Sequence, residues 1–455
     1  MELRDKKVLV VGLGRTGEAV ADFLLRRGAR VTISEKKTAA ELGLPLAAWT
    51  ERGAAVETGG HRPASFLEAD LIIPSPGVPP LPEFVAATDK GIPVLSEIEL
   101  AFRFLKGSII GITGTNGKST TATLLHRILK EAGRKAYLAG NIGTPLLSFV
   151  DKSRADHIYV TEISSFQLEY IDAFRADLAV FLNISQNHLD WHETFESYFG
   201  SKKKLLTAQR KEDRAVLNRD DALVWRLRDE ARSGVFGFSR KRPLRRGCFV
   251  REGWVVVRDW DERKILPIKD IRLPGLHNQE NVMAAVLAAR LTGVAAARIR
   301  ASVKAFDGLE HRLERVLSVR GVRFVNDSKA TTVDATLKAL QSFDAPIVLI
   351  LGGKDKGSDF TKLRRLVRAR AKKVVLVGAA KDKIRKALEG VVPMEEAQSF
   401  PEVVPRAFAA ASPGDVVLLA PACTSWNMFK NFEERGRTFK RDVRALARRI
   451  EGRHS

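Results

Sequence analysis

Residues 111–120 read GITGTNGKST. A glycine-rich turn that also carries a lysine and a serine suits phosphate. Backbone amides take the oxygens, Lys118 adds a positive charge, and the Ser119 hydroxyl can reach a Mg2+ ion. The apolar run SII precedes the loop, and TATLLHRILKEAG after it has apolar residues at helical spacing. A strand thus ends in a loop that opens a helix, where unpaired amides and the positive end of the helix dipole both favour an anion. The spacing is not that of the strict G-x-x-x-x-G-K-[ST] motif, because Ile112 stands where that motif has glycine; the shorter G-x-x-G-K-S remains.

A second glycine loop lies earlier in the chain. GLGRTG at residues 12–17 follows a strand-like run and precedes a helical one, and Glu35 ends the next strand. Alone, this reads as a dinucleotide site, with the acid on a ribose hydroxyl, and hence as an NAD-dependent oxidoreductase. The motif specifies only a tight turn and close backbone approach to some phosphate, or simply a helix packed on a strand. An oxidoreductase would leave the Lys118 loop without a task, so two different phosphorylated ligands are the better reading.

The elements that must position these loops divide the chain into three blocks. Its 455 residues are too many for one ordinary core. The first block alternates VLVVG, RVTIS and LIIPS with helical stretches and breaks at SPGVPPLPEF. The second continues from the phosphate loop through KAYLAG, HIYVTEIS and LAVFLNIS, three buried-strand patterns of a helix-covered parallel sheet. It ends with a hairpin pattern, CFVREGWVVVRDW, and the helical HNQENVMAAVLAARL. From about residue 310, two short strands (RVLSV, VRFVN) joined at Arg320-Gly321 open a further doubly wound pattern.

Composition excludes several classes. With 45% hydrophobic and 29% charged residues the chain is of globular type. No apolar run is long enough to span a bilayer, since Arg290 interrupts the best candidate. The start, MELRDKKVLVVGLG, lacks a signal-peptide pattern, and Cys248 and Cys423 make neither a disulfide framework nor a metal spacing. A cytoplasmic location is the expectation. The formal net charge of +22 is spread along the chain, with short runs such as SRKRPLRRG (239–247) that lack aromatic interleaving, so no specific nucleic-acid partner is expected.

At GITGTNGKST the chain resembles the Mur ligases, ATP-dependent amide-forming enzymes of cell-wall precursor synthesis. The resemblance continues through SPG (75–77), GNIG (140–143), EISSFQLE (162–169), NISQNHLDWH (183–192), LPGLHNQEN (273–281), EHRLE (310–314), NDSKAT (326–331), LGGKDKGSDF (351–360) and PACTSWNMFKNFEERG (421–436). It runs collinearly along essentially the whole chain. GTNGKS is shared with folylpolyglutamate synthetases, whereas SSFQLE with NDSKAT and PACTSW is far more specific to the members that add D-glutamate. The resemblance implies an α/β chain of three domains: a Rossmann-like UDP-substrate domain (1–97), a central P-loop-type ATP-binding parallel sheet with helices (98–309), and a doubly wound Rossmann-like amino-acid domain (310–455). It further implies ATP-dependent ligation of D-glutamate to UDP-N-acetylmuramoyl-L-alanine through an acyl phosphate, by a monomer.

The family's roles carry over residue by residue. Gly114, Thr115, Asn116, Gly117, Lys118, Ser119 and Thr120 would hold the ATP phosphates, with Asn281 on the adenine, Arg312 on the phosphates and Asp327 on the ribose. Ser119 and Glu162 match ligands of one Mg2+ and His188 that of a second. A lysine near the second site is carbamylated in the family to N6-carboxylysine; SYFGSKKKLL offers Lys202, Lys203 and Lys204, and the family's spacing of four from tyrosine, counted from Tyr198, selects Lys202. On the UDP-substrate side stand Gly14, Arg15, Thr16, Glu35, Lys36 and Lys37, with Ser75, Pro76 and Gly77 shaping the pocket wall and Asn141 touching substrate beside the second metal. Lys36 and Lys37 depart from a frequent family pattern of Thr or Ser followed by Arg, which loses an arginine fork. Lys329, Thr331, Lys356, Ser425 and Phe432 match positions around D-glutamate.

Overall fold

The structure is a computed structural model that describes residues 1–42, 46–355, 357–426 and 428–451. It comprises two compact units, one of Met1–Ile271 with Gln279–Lys304 and one of Arg272–Asn278 with Ala305–Ser455.

The first unit contains two sheets. The N-terminal one has four parallel strands in the order β3-β2-β1-β4, where β1 is Lys7–Val11, β2 Arg30–Glu35, β3 Ala55–Thr58 and β4 Leu71–Pro74. The chain leaves β1 toward β2 on one side and later reaches β4 on the other, so the loops after β1 and β4 meet at the switch point. These are the GLGRTG and SPG loops.

The central sheet has nine strands: β5 Ser108–Thr113, β6 Lys135–Gly140, β7 His157–Glu162, β8 Leu178–Phe181, β9 Arg214–Asn218, β10 Gly234–Ser239, β11 Gly247–Arg251, β12 Trp254–Arg258 and β13 Glu262–Pro267. Their order is β13-β12-β11-β10-β9-β8-β5-β7-β6, parallel from β6 to β11, with the last two antiparallel. The antiparallel turn between β11 and β12 uses Glu252 and Gly253, both at positive φ, the two-residue geometry that matches strand twist. β5 lies between β7 and β8, which puts the phosphate loop at this sheet's switch point. A continuous apolar core runs from Val8, Val10 and Ile33 of the N-terminal sheet to Ile109, Tyr159 and Leu205 of the central one.

The second unit has the order β14-β15-β19-β16-β17-β18, where β14 is Glu314–Val319, β15 Val322–Asn326, β16 Ile347–Gly352, β17 Ala371–Val377, β18 Met394–Glu396 and β19 Val416–Leu419. All neighbours are parallel except β14 and β15, whose turn is Arg320-Gly321, again with both φ positive. The long helix Phe432–Glu451 lays Phe439, Val443 and Leu446 on one face of this sheet. Both cysteines are buried and free. Among the described residues no helix is long and apolar enough to cross a membrane.

Candidate active site

The phosphate loop runs from Thr113, the end of β5, into the helix Lys118–Glu131. Gly117 is the N-cap in a left-handed conformation (φ 85°), and no side chain caps the helix. The first-turn amides are therefore available to an anion. Lys118 folds back over the loop, donating through Nζ to the carbonyls of Gly114 (2.9 Å) and Thr115 (3.1 Å). Asn183, just past β8, braces the loop: its carbonyl accepts from the Thr115 amide, its Oδ1 accepts from the Asn116 amide (2.9 Å), and its Nδ2 donates to the Asn116 carbonyl. Asn281 packs against the same turn, close enough that a β-carbon on Gly117 would stand 2.0 Å from its Oδ1.

Strand register brings a carboxylate beside the loop. Glu162, the last residue of β7, pairs with Ile112, one residue before the end of β5. It is 3% exposed; Oε1 accepts from Asn141 Nδ2 (2.8 Å), while Oε2 is buried without a hydrogen-bond partner among the described residues. A lone-pair-bearing oxygen left in this state suits a hard cation, as does the Ser119 hydroxyl. No cluster of three or more His, Cys, Asp or Glu occurs among the described residues, so any ion here must take further oxygens from water or phosphate.

Of the three adjacent lysines only Lys202 enters this region. Lys203 pairs with Glu230 and Lys204 with Glu169. Lys202, on the helix Phe195–Thr207, is 1% exposed, donates to Thr113 Oγ1 (3.2 Å), and stands 5.0 Å from the centre of the Tyr198 ring. Burial first, and then the charge of Lys118, push its ammonium well below the usual lysine range, against the pull of Glu162. The same burial favours the neutral amine over the ammonium.

His188 is exposed and in a left-handed backbone conformation, its ring edge-on to Phe166 at 4.8 Å and 6.3 Å from the Tyr198 ring. Phe166 belongs to the short helix Ser165–Glu169, whose capping box joins Ser164 and Gln167 immediately after Glu162. Here the roles of Ser164 and Gln167 in SSFQLE become clear.

In the N-terminal sheet, Gly14 caps the helix Arg15–Arg26 without a side-chain bond, leaving Arg15 and Thr16 at an open helix start. Glu35 braces the loop itself: its Oε2 accepts the Leu13 amide (2.7 Å) and its Oε1 that of Lys37 (3.1 Å). Lys36 and Lys37 are exposed beside it. Ser75 Oγ donates to the Gly12 carbonyl (2.8 Å), which ties the SPG loop with Pro76 and Gly77 to GLGRTG, and Val78 accepts from Trp191 Nε1 (3.1 Å).

The second unit gathers its motif residues at the carboxyl ends of β15, β16 and β19. Asp327, 7% exposed, is pushed up to about 6 by burial, with the Arg312 charge acting in the opposite sense. Lys329 lies 5.4 Å over the Phe432 ring, and Thr331 follows in the same turn, its amide donating to the Lys329 carbonyl. Ser425 is 2% exposed, in the loop after β19. Lys356 lies outside the described residues.

Several participants have no role in the sequence reading. Asn183 carries the signal that marked Glu162, a polar residue ending a buried run, inside NISQNHLDWH. Arg435 has no local signal: it is 1% exposed and donates to Ser328 Oγ (2.9 Å), the Ser328 carbonyl (2.8 Å) and the Cys423 carbonyl (3.1 Å), which joins NDSKAT to PACTSW. Burial lowers its pKa to about 10. His192, 4% exposed and bonded through Nε2 to Ser165 Oγ (2.9 Å), stacks on Phe166.

Two phosphate-type loops on two parallel sheets, a carboxylate and a lysine at the second, and a separate anion-suited turn cluster match three family descriptions in chain order. These are the Mur ligase MurD-like N-terminal domain (residues 6–96), the Mur ligase middle domain (112–289) and the Mur ligase glutamate ligase domain (311–423). The chain belongs to the Mur ligase family. It is 50% identical to the UDP-N-acetylmuramoylalanine--D-glutamate ligase of Acidobacterium capsulatum over 97% of this chain and 96% of that one. It is 47% identical to the enzyme of that name from Koribacter versatilis, over 98% and 99%. Among solved structures, the UDP-N-acetylmuramate-alanine ligase MurC of Thermotoga maritima shares the fold with a TM-score of 0.59 at 18% identity, covering 97% of this chain and 100% of that one. MurF ligase of Thermotoga maritima gives 0.58 at 17%, covering 98% and 97%.

Proposed function

We propose that the enzyme joins D-glutamate to UDP-N-acetylmuramoyl-L-alanine at the expense of ATP, in peptidoglycan precursor synthesis. The observation that carries the chemistry is the convergence of an uncapped helix start, Lys118, the buried unpartnered oxygen of Glu162, and buried Lys202 at one sheet edge. The near full-length likeness to D-glutamate ligases supports the choice of substrates.

A carboxylate resists attack by an amine because its leaving group would be oxide. Its oxygen therefore attacks the γ-phosphorus of ATP; the bond to ADP breaks and an acyl phosphate forms. The D-glutamate amine then attacks the acyl carbon, loses a proton, and phosphate departs with the bonding pair. Lys118 and the amides of the first helical turn neutralise and align the transferring group, for which position and charge matter more than covalent help. Thr115 and Asn116 shape the turn under the brace of Asn183. Glu162, Ser119 and His188 are assigned to hold two Mg2+ ions, whose charge would polarise the phosphoryl oxygens. Lys202 is assigned as the carbamylated lysine, whose carbamate would help hold the second ion. The helix start at Gly14, Arg15 and Thr16, with Lys36 and Lys37, receives the UDP moiety, and Asn141 the acyl end. Asn281, Arg312 and Asp327 serve the nucleotide. Lys329, Thr331, Lys356, Ser425 and Phe432 serve D-glutamate, whose two carboxylates suit lysines and helix-start amides.

The division into 1–97, 98–309 and 310–455, a monomeric state and a cytoplasmic location complete this reading. The test is phosphate release from ATP with UDP-N-acetylmuramoyl-L-alanine and each candidate amino acid in turn. Release that depends on D-glutamate and yields the amide supports the assignment; equal release with L-glutamate, or amide formed without ATP, refutes it.

A further inference from the structure

The short helix Glu97–Phe102 begins with two carboxylates in dry surroundings, Glu97 at 1% exposure and Glu99 at 0%. Glu99 is fully accounted for: Oε1 accepts from Arg103 Nε (2.7 Å), and Oε2 accepts the amides of Asp172 (2.9 Å) and Phe174 (2.7 Å). Glu97 is different. Its Oε1 accepts the Leu147 amide at 2.6 Å, and its Oε2 is buried with no hydrogen-bond partner among the described residues. Burial pushes its carboxyl up to about 7, against the amides of Leu147 and Leu146, which among the described residues favour its ionised form. A carboxylate buried without a cation is costly, and a plain core position would hold a leucine.

What the carboxylate holds is the start of the 3-10 helix Leu146–Lys152. The residues just before it form the loop after β6, in which the Gly140 amide donates to the Thr144 carbonyl (3.0 Å) and the Asn141 amide to the Glu162 carbonyl (2.9 Å). The Asn141 side chain bonds Glu162 Oε1. The loop has no slack at its glycines, since a β-carbon on Gly140 would stand 2.4 Å from the Glu162 carbonyl oxygen and one on Gly143 2.6 Å from that of Leu138. It is thus pinned at one end by Glu162 and at the other by Glu97.

We infer that Glu97 is a positioning residue for the metal-binding carboxylate: by anchoring the amides of Leu146 and Leu147 it fixes the 140–145 loop, and through Asn141 it sets the orientation of Glu162. The inference rests on the assignment of Glu162 to a divalent cation. Glu97 touches no substrate, and its influence passes wholly through the loop. An acceptor oxygen is what the task requires, so glutamine at this position suffices and leucine does not.

The experiment is Mn2+ binding to the full chain with ADP, followed by electron paramagnetic resonance, for the parent, Glu97→Leu, Glu97→Gln, Asn141→Ala and the double variant Glu97→Leu/Asn141→Ala. Loss of support around a ligand costs roughly ten- to a hundredfold in metal affinity. Glu97→Leu is expected to weaken Mn2+ by about tenfold, Glu97→Gln to restore parental affinity, and the double variant to bind no more weakly than Asn141→Ala alone, because both changes act through one path. Parental affinity in Glu97→Leu, or additive losses in the double variant, overturns the inference while leaving the site assignment standing. Failure of the parent itself to bind Mn2+ with nucleotide overturns the assignment and this inference with it. Should Glu97→Leu not fold, Glu97→Asp, whose carboxylate is one methylene short of Leu147, is read by the same comparison.

Discussion

Replacing Gly117 by alanine tests the phosphate loop most sharply, because a control exists on the same helix. Gly117 and Gly133 flank Lys118–Glu131, at φ values of 85° and 80°. An alanine at either must take the left-handed conformation, at a cost of about 1–2 kcal/mol. The two differ in what the new methyl group meets. At Gly133 nothing lies within 4 Å, whereas at Gly117 the β-carbon would stand 2.0 Å from Asn281 Oδ1 and 2.8 Å from its Cγ. Apolar contact distances are roughly 3.5–4.0 Å, so the Asn281 side chain or the loop must retreat by roughly 1.5 Å. A misplacement of about 1 Å at a group that aligns reacting atoms costs on the order of a hundredfold, or about 2.7 kcal/mol of barrier. Denaturant unfolding should therefore show Gly133→Ala weakened by the backbone cost alone and Gly117→Ala by that cost plus the displacement of Asn281 or the loop. Steady-state phosphate release should show kcat/KM for ATP down about a hundredfold in Gly117→Ala and at the parental level in Gly133→Ala. If the two variants turn over alike, the loop does not hold the nucleotide as argued.

Lys118→Ala should lower turnover by roughly a hundred- to a thousandfold, the usual cost of one preorganised charge, in the same phosphate assay. Lys202→Met should abolish turnover and yet raise the unfolding midpoint, since a buried amine that donates to the Thr113 hydroxyl is replaced by an apolar chain of similar length. Asp327 titrates at about 6 in the folded chain against 3.8 for a free side chain, so the folded state holds a proton that the unfolded state releases. That stabilisation is complete below pH 3.8 and lost as pH rises through 6, up to about 3 kcal/mol. Asp327→Asn lacks this dependence, so urea unfolding of the ligand-free chains should show parent and variant close at pH 4 and the variant ahead at pH 8.

Features specified within a few residues were legible in the sequence. Two-residue turns at Glu252-Gly253 and Arg320-Gly321 follow from glycine's access to positive φ, and the hairpins found there are the ones the patterns imply. The strand-to-helix turn at residues 114–117 was legible for the same reason, since Gly114 and Gly117 permit φ of 146° and 85° that another residue would resist. Buried parallel strands showed as unbroken apolar runs, because both faces are covered.

What tertiary structure alone decided is which side chains lose water together. Periodicity cannot separate Lys202 from Lys203 and Lys204, because one-residue steps around a helix acquire meaning only when a neighbouring surface buries one of them. It gives no partner for Glu35, which spends its carboxylate on the Leu13 amide, or for Arg435, whose acceptors lie twelve and 107 residues away in the chain. The placement of Glu162 beside the loop depends on β7 lying next to β5, and strand order in a parallel sheet is set by long crossovers and shared burial rather than by any local run of residues. The sequence by itself thus determined the loops and the strands that end in them; desolvation and strand order, which exist only once the chain has folded, determined which residues those loops face.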